Sequence, residues 1–181
     1  MDNGESSYRR YLDGDDEGFV EIVRDYKDGL IRYIDSIVND PSLSEELAED
    51  AFVKLGIKKP AFRGRSSFRT WLYAVGRNTA LDHLRKRLRT DTVPIDECEE
   101  MPAGPTPEDE FLKNEDSGKI RRSVRSLKSE YRQIIQLLYY EGFTVREAAG
   151  IMKKSVHGTE TLAYRARQAL KSKLEEEGYG K

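Results

Sequence analysis

Apolar residues recur along this chain three and four positions apart, in stripes that polar breaks keep short. From Phe19 they fall at Ile22, Val23, Tyr26, Leu30, Tyr33, Ile34 and Ile37, a helical period that predicts the clearest helix in the sequence. Asn39-Asp40-Pro41 ends it. Ser42-Leu43-Ser44-Glu45 then reads as a capping box opening a second helix through about Leu55, and Lys58-Lys59-Pro60 stops that one. The two helices are expected to pack as a hairpin. After Arg63-Gly64-Arg65-Ser66-Ser67, the positions Phe68, Trp71, Leu72, Val75 and Thr79 lead a third helix to about Leu88.

The pattern lapses between residues 90 and 106, where acids and prolines (Pro94, Asp96, Glu97, Glu99, Glu100, Pro102, Pro105) leave nothing with which to build a core, so an exposed linker is expected. Thr106-Pro107-Glu108-Asp109 supplies an N-cap, a first-turn proline and first-turn acids, and helix should resume there. Tyr131, Ile134, Ile135, Leu138 and Tyr139 form the next stripe, which Glu141-Gly142 ends. Thr144-Val145-Arg146-Glu147 is a second capping box opening a short helix through Met152. The turn Lys153-Lys154-Ser155 leads into a last helix with the stripe Leu162, Ala166, Ala169 or Leu170, and Leu174. Short helix, tight turn and longer helix predict a helix-turn-helix. The fold class expected is all-α, two small helical domains: a flexible N-terminus (1–16), a first lobe (17–89), a linker (90–106) and a second lobe (107–177).

Composition adds little until its placement is considered. In 181 residues the net charge is -2, so no overall excess of cations announces a nucleic-acid partner. Between Ala61 and Arg89, however, eight cations (Arg63, Arg65, Arg69, Arg77, Arg85, Lys86, Arg87, Arg89) face one anion, Asp82. That concentration reads as a phosphate-tracking surface rather than a solubilising face. The aromatics within it, Phe62, Phe68, Trp71 and Tyr73, are placed either to stack unpaired bases or to fill the core, and Phe68 and Trp71 share the register of Leu72 and Val75, which favours the core. A single cysteine, Cys98, excludes an internal disulfide framework, and together with two separated histidines, His83 and His157, it leaves little from which to build a zinc site. No stretch approaches the roughly 20 apolar residues of a membrane span, and the acidic N-terminus has no signal-peptide run, so a cytoplasmic protein without membrane insertion is expected.

The carboxylates Glu45, Glu46, Glu49 and Asp50 raise acid/base or metal chemistry, but no histidine, glycine-rich phosphate loop or nucleophile motif accompanies them. They are either a solvated helix face or a docking surface for a basic partner. The expectation is a protein with no catalytic residues, no metal and no cofactor. Helix pairs with a tight turn also occur in plain bundles; Lys153, Lys154, Arg165, Arg167, Lys171 and Lys173 on and beside the last helix move the reading towards DNA.

The run from Ser44 to Leu55, followed by Phe62-Arg63-Gly64 and by Ser67-Phe68-Arg69-Thr70-Trp71-Leu72-Tyr73-Ala74-Val75-Gly76-Arg77-Asn78, resembles conserved region two of the bacterial extracytoplasmic-function (ECF) sigma factors. Tyr131-Arg132, Tyr140-Glu141-Gly142, Glu147-Ala148-Ala149 and Tyr164-Arg165-Ala166-Arg167 resemble region four of the same family. The resemblance implies an alternative-type sigma factor that binds core RNA polymerase, directs it to promoters and helps open the duplex, with a dedicated anti-sigma factor as a further partner. It implies that Glu45, Glu46, Glu49, Asp50 and Phe52 dock on the clamp helices of the largest polymerase subunits. By the same resemblance Arg63, Arg65 and Ser67 hold a flipped base of the minus-ten element, and Phe68, Arg69 and Trp71 belong to the strand-opening segment. Arg77, Asn78, Asp82 and Arg85 lie along the helix that contacts that element. Thr144, Arg146, Lys154, Ser155, His157, Thr159, Glu160, Arg165 and Arg167 fall in the lobe that reads the minus-thirty-five element. Glu160 and Leu162 stand where the family commonly has lysine and arginine, which removes phosphate contacts at that point. A stand-alone helix-turn-helix regulator is the other reading; it needs neither the acidic docking helix nor the basic, aromatic segment.

Overall fold

The computed structural model describes residues 3–90 and 115–178, and within them every regular element is helical. In chain order these are α1 (Asn3–Leu12), α2 (Asp16–Val38), α3 (Pro41–Lys58), α4 (Phe68–Thr90), α5 (Glu115–Arg125), α6 (Ser129–Ile135) with a π-helical continuation (Gln136–Tyr140), α7 (Val145–Met152) and α8 (Val156–Glu176). The expected linker beyond Thr90, the helix start at Thr106-Pro107 and Cys98 lie outside the described residues. No helix among the described residues is long and apolar enough to cross a membrane.

Helix α2 is the spine of the first lobe and packs against α1, α3 and α4. Its stripe supplies Ile22, Leu30, Tyr33 and Ile34 to a core shared with Leu47, Ala51, Leu55 and Leu72, all 2% exposed or less. Asp15 caps its start by accepting from the Glu17 amide, and Asn39 ends it in the left-handed region at φ 55. The second helix begins earlier than its apparent capping box. Asp40 is the N-cap, accepting from the Leu43 amide at 3.1 Å, and Pro41 takes the first helical position, where a missing N–H costs nothing. Ser44 is buried instead and donates to the Asp40 carbonyl.

The N-terminal segment, expected to be flexible, is helical and docked. Tyr8 and Tyr11 are 1% and 8% exposed, and their hydroxyls donate to the carbonyls of Pro60 (2.7 Å) and Gly56 (2.8 Å). A Cβ at Gly18 would collide with the Ser7 carbonyl, so α1 crosses α2 at backbone contact. The acidic composition of 1–16 hid two buried rings, whose area outweighs the polar residues around them.

In the second lobe the Thr144–Glu147 capping box forms as the sequence suggests: the Glu147 amide donates to Thr144 Oγ1 at 3.2 Å and the Thr144 amide to Glu147 Oε2 at 2.9 Å. Thr144→Ala is expected to lower stability by about 1 kcal/mol in urea unfolding; an unchanged midpoint would show that the cap contributes nothing. Lys153 at φ 54 terminates α7 in the left-handed conformation, and Ser155 caps α8 by accepting from the Gly158 amide, which completes a helix-turn-helix. Before it, the helix of Tyr131 and Ile134 widens: the Glu141 amide reaches back five residues to the Gln136 carbonyl at 2.9 Å. The wider turn leaves Tyr139 and Tyr140 about half exposed, whereas 3.6-residue spacing placed Tyr139 in the apolar stripe. The lobes touch through α2 against α6 and α4 against α7.

Candidate polymerase and nucleic-acid interfaces

Helix α3 presents Glu45, Glu46, Glu49 and Asp50 to solvent. Phe52, expected beside them on the docking surface, is instead 6% exposed and packs into the first-lobe core. Its place on the outer face is taken by Val53 and Ile57, 54% and 78% exposed, one helical turn apart and continuing the line of Glu46, Glu49 and Asp50. Their being apolar yet outside the core register is the sequence signal that could have identified them.

The loop before α4 exposes Arg63 and Arg65 around Gly64, whose φ of +65 favours glycine. Ser67 is engaged as the cap of α4: its hydroxyl oxygen accepts from the Thr70 amide at 3.1 Å, and the Trp71 amide donates to its carbonyl. Phe68 is fully buried between the rings of Tyr8, Tyr26, Phe62 and Trp71, at centroid distances of 5.4–5.8 Å. It is therefore a core ring and not part of the exposed surface; Trp71, partly exposed, is the ring that reaches the surface. Farther along α4, Asn78 is half-buried, and Asp82 and Arg85 are exposed and paired with each other at 3.1 Å.

On the second lobe Thr144, Arg146, Ser155, His157, Glu160, Arg165 and Arg167 are exposed and Lys154 is half-buried, paired with Glu130 at 2.8 Å. Thr159 is the exception. It is fully buried, with its hydroxyl donating to the Ser155 carbonyl, because the first turn of α8 faces α7 there. Val156 and Tyr164, 43% and 57% exposed, stand on the outer face of the same helix; the apolar pattern singled out neither, and Tyr164 entered only through the Tyr164-Arg165-Ala166-Arg167 motif. Arg167 accepts no such freedom: it donates to the Tyr139 hydroxyl at 3.1 Å.

Two polar anchors stand out in the interface between the lobes, alongside the packing of Phe143 on Tyr73. In the first, Arg132 (3% exposed) reaches from α6 to the C-terminus of α2, donating to the Ser36 carbonyl at 3.0 Å and to those of Ile37 and Leu127. It thereby satisfies carbonyls that a helix end leaves without partners. Beside it Arg125 pairs with Asp35 at 3.0 Å; burial pushes the Asp35 carboxyl above its ordinary range and Arg125 opposes that shift. In the second anchor, Glu141 (side chain 4% exposed) receives Tyr73 Oη at 2.8 Å, Arg69 at 3.0 Å, Arg32 at 3.2 Å and Gln136 at 3.1 Å. Burial, and then the neighbouring Glu141 charge, raise the Tyr73 phenol well beyond its usual range, so it stays a donor. Gly29 makes room for both: a Cβ there would collide with the Tyr73 hydroxyl and press on the carboxylate. Among the described residues no cluster of histidine, cysteine and carboxylates is arranged to hold a metal.

Residues 22–90 match the family described as sigma-70 region 2, and residues 117–170 match sigma-70, region 4. The chain is 29% identical over 171 residues to the RNA polymerase sigma-H factor of Pseudomonas aeruginosa, covering 90% of this chain and 89% of that one. It is 27% identical over 170 residues to the ECF RNA polymerase sigma factor SigW of Bacillus subtilis (89% and 91%). It is also 28% identical over 175 residues to the ECF RNA polymerase sigma-E factor of Escherichia coli K12 (92% and 91%). In fold it is similar to the sigma factor RpoE of Bartonella quintana, solved with the anti-sigma factor NepR, at a TM-score of 0.68 and 24% identity over 87% of this chain and 96% of that one.

Proposed function

Because the chain belongs to the ECF branch of the sigma-70 family, we propose that its two lobes divide the work of promoter recognition between them. The protein is an alternative sigma factor: it binds core RNA polymerase, directs it to promoters and takes part in opening them. The observation that supports the division of labour is that one lobe exposes both a carboxylate-rich helix face, flanked by Val53 and Ile57, and a cation-rich loop and helix. A stand-alone duplex-binding regulator has use for neither.

In this reading the first lobe, 17–89 together with the docked α1, holds polymerase through Glu45, Glu46, Glu49, Asp50, Val53 and Ile57. Acidic side chains steer a basic partner and set register, while the exposed aliphatic pair supplies apolar contact. Arg63, Arg65, Trp71, Asn78 and Arg85 hold the separated strand. Opening DNA forfeits stacking and pairing energy, which is recovered by base capture on a ring and by phosphate contacts. The second lobe, 107–177, places α8 in a duplex groove with Ser155, His157, Glu160 and Arg165 towards the bases and backbone. Bond making belongs to the polymerase, the protein works in the cytoplasm where that enzyme is, and an anti-sigma factor covering these same faces is its natural regulator.

Transcription with core polymerase of the source bacterium on its own genomic DNA tests this. Start sites preceded by a shared pair of elements are expected. Failure of the purified protein to start RNA synthesis anywhere, with no inhibitor present, would overturn the reading.

A further inference from the structure

We propose that Arg32, Arg69 and Tyr73 form a phosphate-binding subsite on the first lobe, and that Glu141 of the second lobe fills it in the free protein in place of a nucleic-acid phosphate. The assignment to nucleic acid rests on the function proposed above and adds a masked site to it.

Three of the four donors that meet the Glu141 carboxylate come from the other lobe: Tyr73 and Arg69 on Oε2, Arg32 on Oε1. Two guanidinium groups around one buried carboxylate leave a surplus positive charge, with Glu141 4% exposed and Arg32 and Arg69 reaching it from the solvent side at 58% and 34%. A backbone phosphodiester has the same single negative charge as the carboxylate and presents two unbridged oxygens to a guanidinium fork and a phenol. If Glu141 withdraws with nothing in its place, two cations are left facing each other and Tyr73 loses its acceptor. Opening of the lobes is therefore coupled to entry of an anion. Arg69 also lies in the cation run of the α4 segment, between Arg65 and Arg77, which favours one phosphate of a strand over an isolated anion.

The same closure engages more of α4. Arg77 donates to Gln133 of the second lobe at 3.4 Å, and Phe143 packs on the Tyr73 ring with centroids 4.9 Å apart while Arg69 covers it at 4.2 Å. The closed molecule thus has its strand-binding helix partly covered by its own second lobe. The apparent affinity of such a protein for a strand falls by the fraction of molecules that are open.

The full chain, without polymerase, is the material for the test, with small-angle scattering reporting the radius and a fluorescent single-stranded oligonucleotide reporting binding. Glu141→Gln is expected to enlarge the radius and tighten oligonucleotide binding by about tenfold, because the open fraction rises. Adding Arg69→Gln to that variant should return the affinity to the starting value while the radius stays large. Arg125→Glu, at the other anchor, leaves the subsite intact and should give the same gain; it carries the test if Glu141→Gln loses its helical circular dichroism. An open variant that binds the strand no better, or a gain that survives Arg69→Gln, overturns the proposal. Inorganic phosphate that enlarges the wild-type protein as well as the oligonucleotide does would assign the site to a free anion and overturn the nucleic-acid assignment. None of these readouts involves polymerase, so a chain that passes them yet fails in transcription counts against the sigma reading alone.

Discussion

Replacing Glu45 and Glu46 together by lysine is expected to abolish co-purification with core RNA polymerase while leaving the fold unchanged. Both carboxylates are exposed, and among the described residues neither takes part in an ion pair. Removing them takes nothing from the packed interior, and the stability change should stay within about 0.5 kcal/mol, as for ordinary surface substitutions. Their proximity to the start of α3 adds only a small unfavourable helix-dipole contribution to the lysines. At an interface the balance is different. Each close charge pair is worth upwards of about 1.5 kcal/mol, and reversal replaces attraction by repulsion, so two reversals should weaken association by more than about a hundredfold. The measurement is retention of core enzyme on the immobilised variant, with an unchanged melting curve as the control. Recovery of polymerase at the wild-type level would remove α3 from the docking surface. Val53→Ser with Ile57→Ser is the companion experiment, since it takes away the apolar flank without touching charge.

Arg132→Ala carries the largest expected loss of stability, about 3 kcal/mol in chemical unfolding. The guanidinium is 3% exposed and satisfies the carbonyls of Ser36, Ile37 and Leu127. Alanine would take the guanidinium donor from the Ser36 and Leu127 carbonyls, leaving Ile37 only its bond from Ser129, and would open a void where the side chain lay. A domain of this size is stable by only about 5–15 kcal/mol, so a large share of the margin is at stake. Arg132→Lys keeps the charge but cannot reach separate carbonyls with a planar fork, and should fall between the two. A loss below about 1 kcal/mol for the alanine variant would mean that water replaces the guanidinium at the interface, and that the lobes are held by the Glu141 anchor instead.

These two sites show how differently sequence speaks about surface and interface. The acids on α3 were legible because a polar cluster on a periodic helix has few uses, and the choice between solvated face and docking surface came from the family motif around it. Arg132 was legible only as part of the Tyr131-Arg132 motif. Nothing in its neighbours says that it is buried, because two of its three acceptors lie 95 and 96 positions earlier in the chain. Phe52, Phe68 and Thr159 mark the same limit. Each sits inside a motif associated with binding, and each is turned inward, since a motif records which residues occur together and not which face of the helix they occupy.

By itself the sequence determined α2, α3, α4, α6, α7 and α8, the breaks at Asn39-Asp40-Pro41 and Glu141-Gly142, the helix-turn-helix and the uneven placement of charge, because period, capping and turn chemistry act within a few residues. Only the tertiary structure decided that α1 docks through Tyr8 and Tyr11, that the helix before Glu141 widens, and that this carboxylate meets Arg32, Arg69 and Tyr73. Those outcomes depend on burial and on partners brought together from distant parts of the chain, where the balance between desolvation and hydrogen bonding is set by the packing of whole helices.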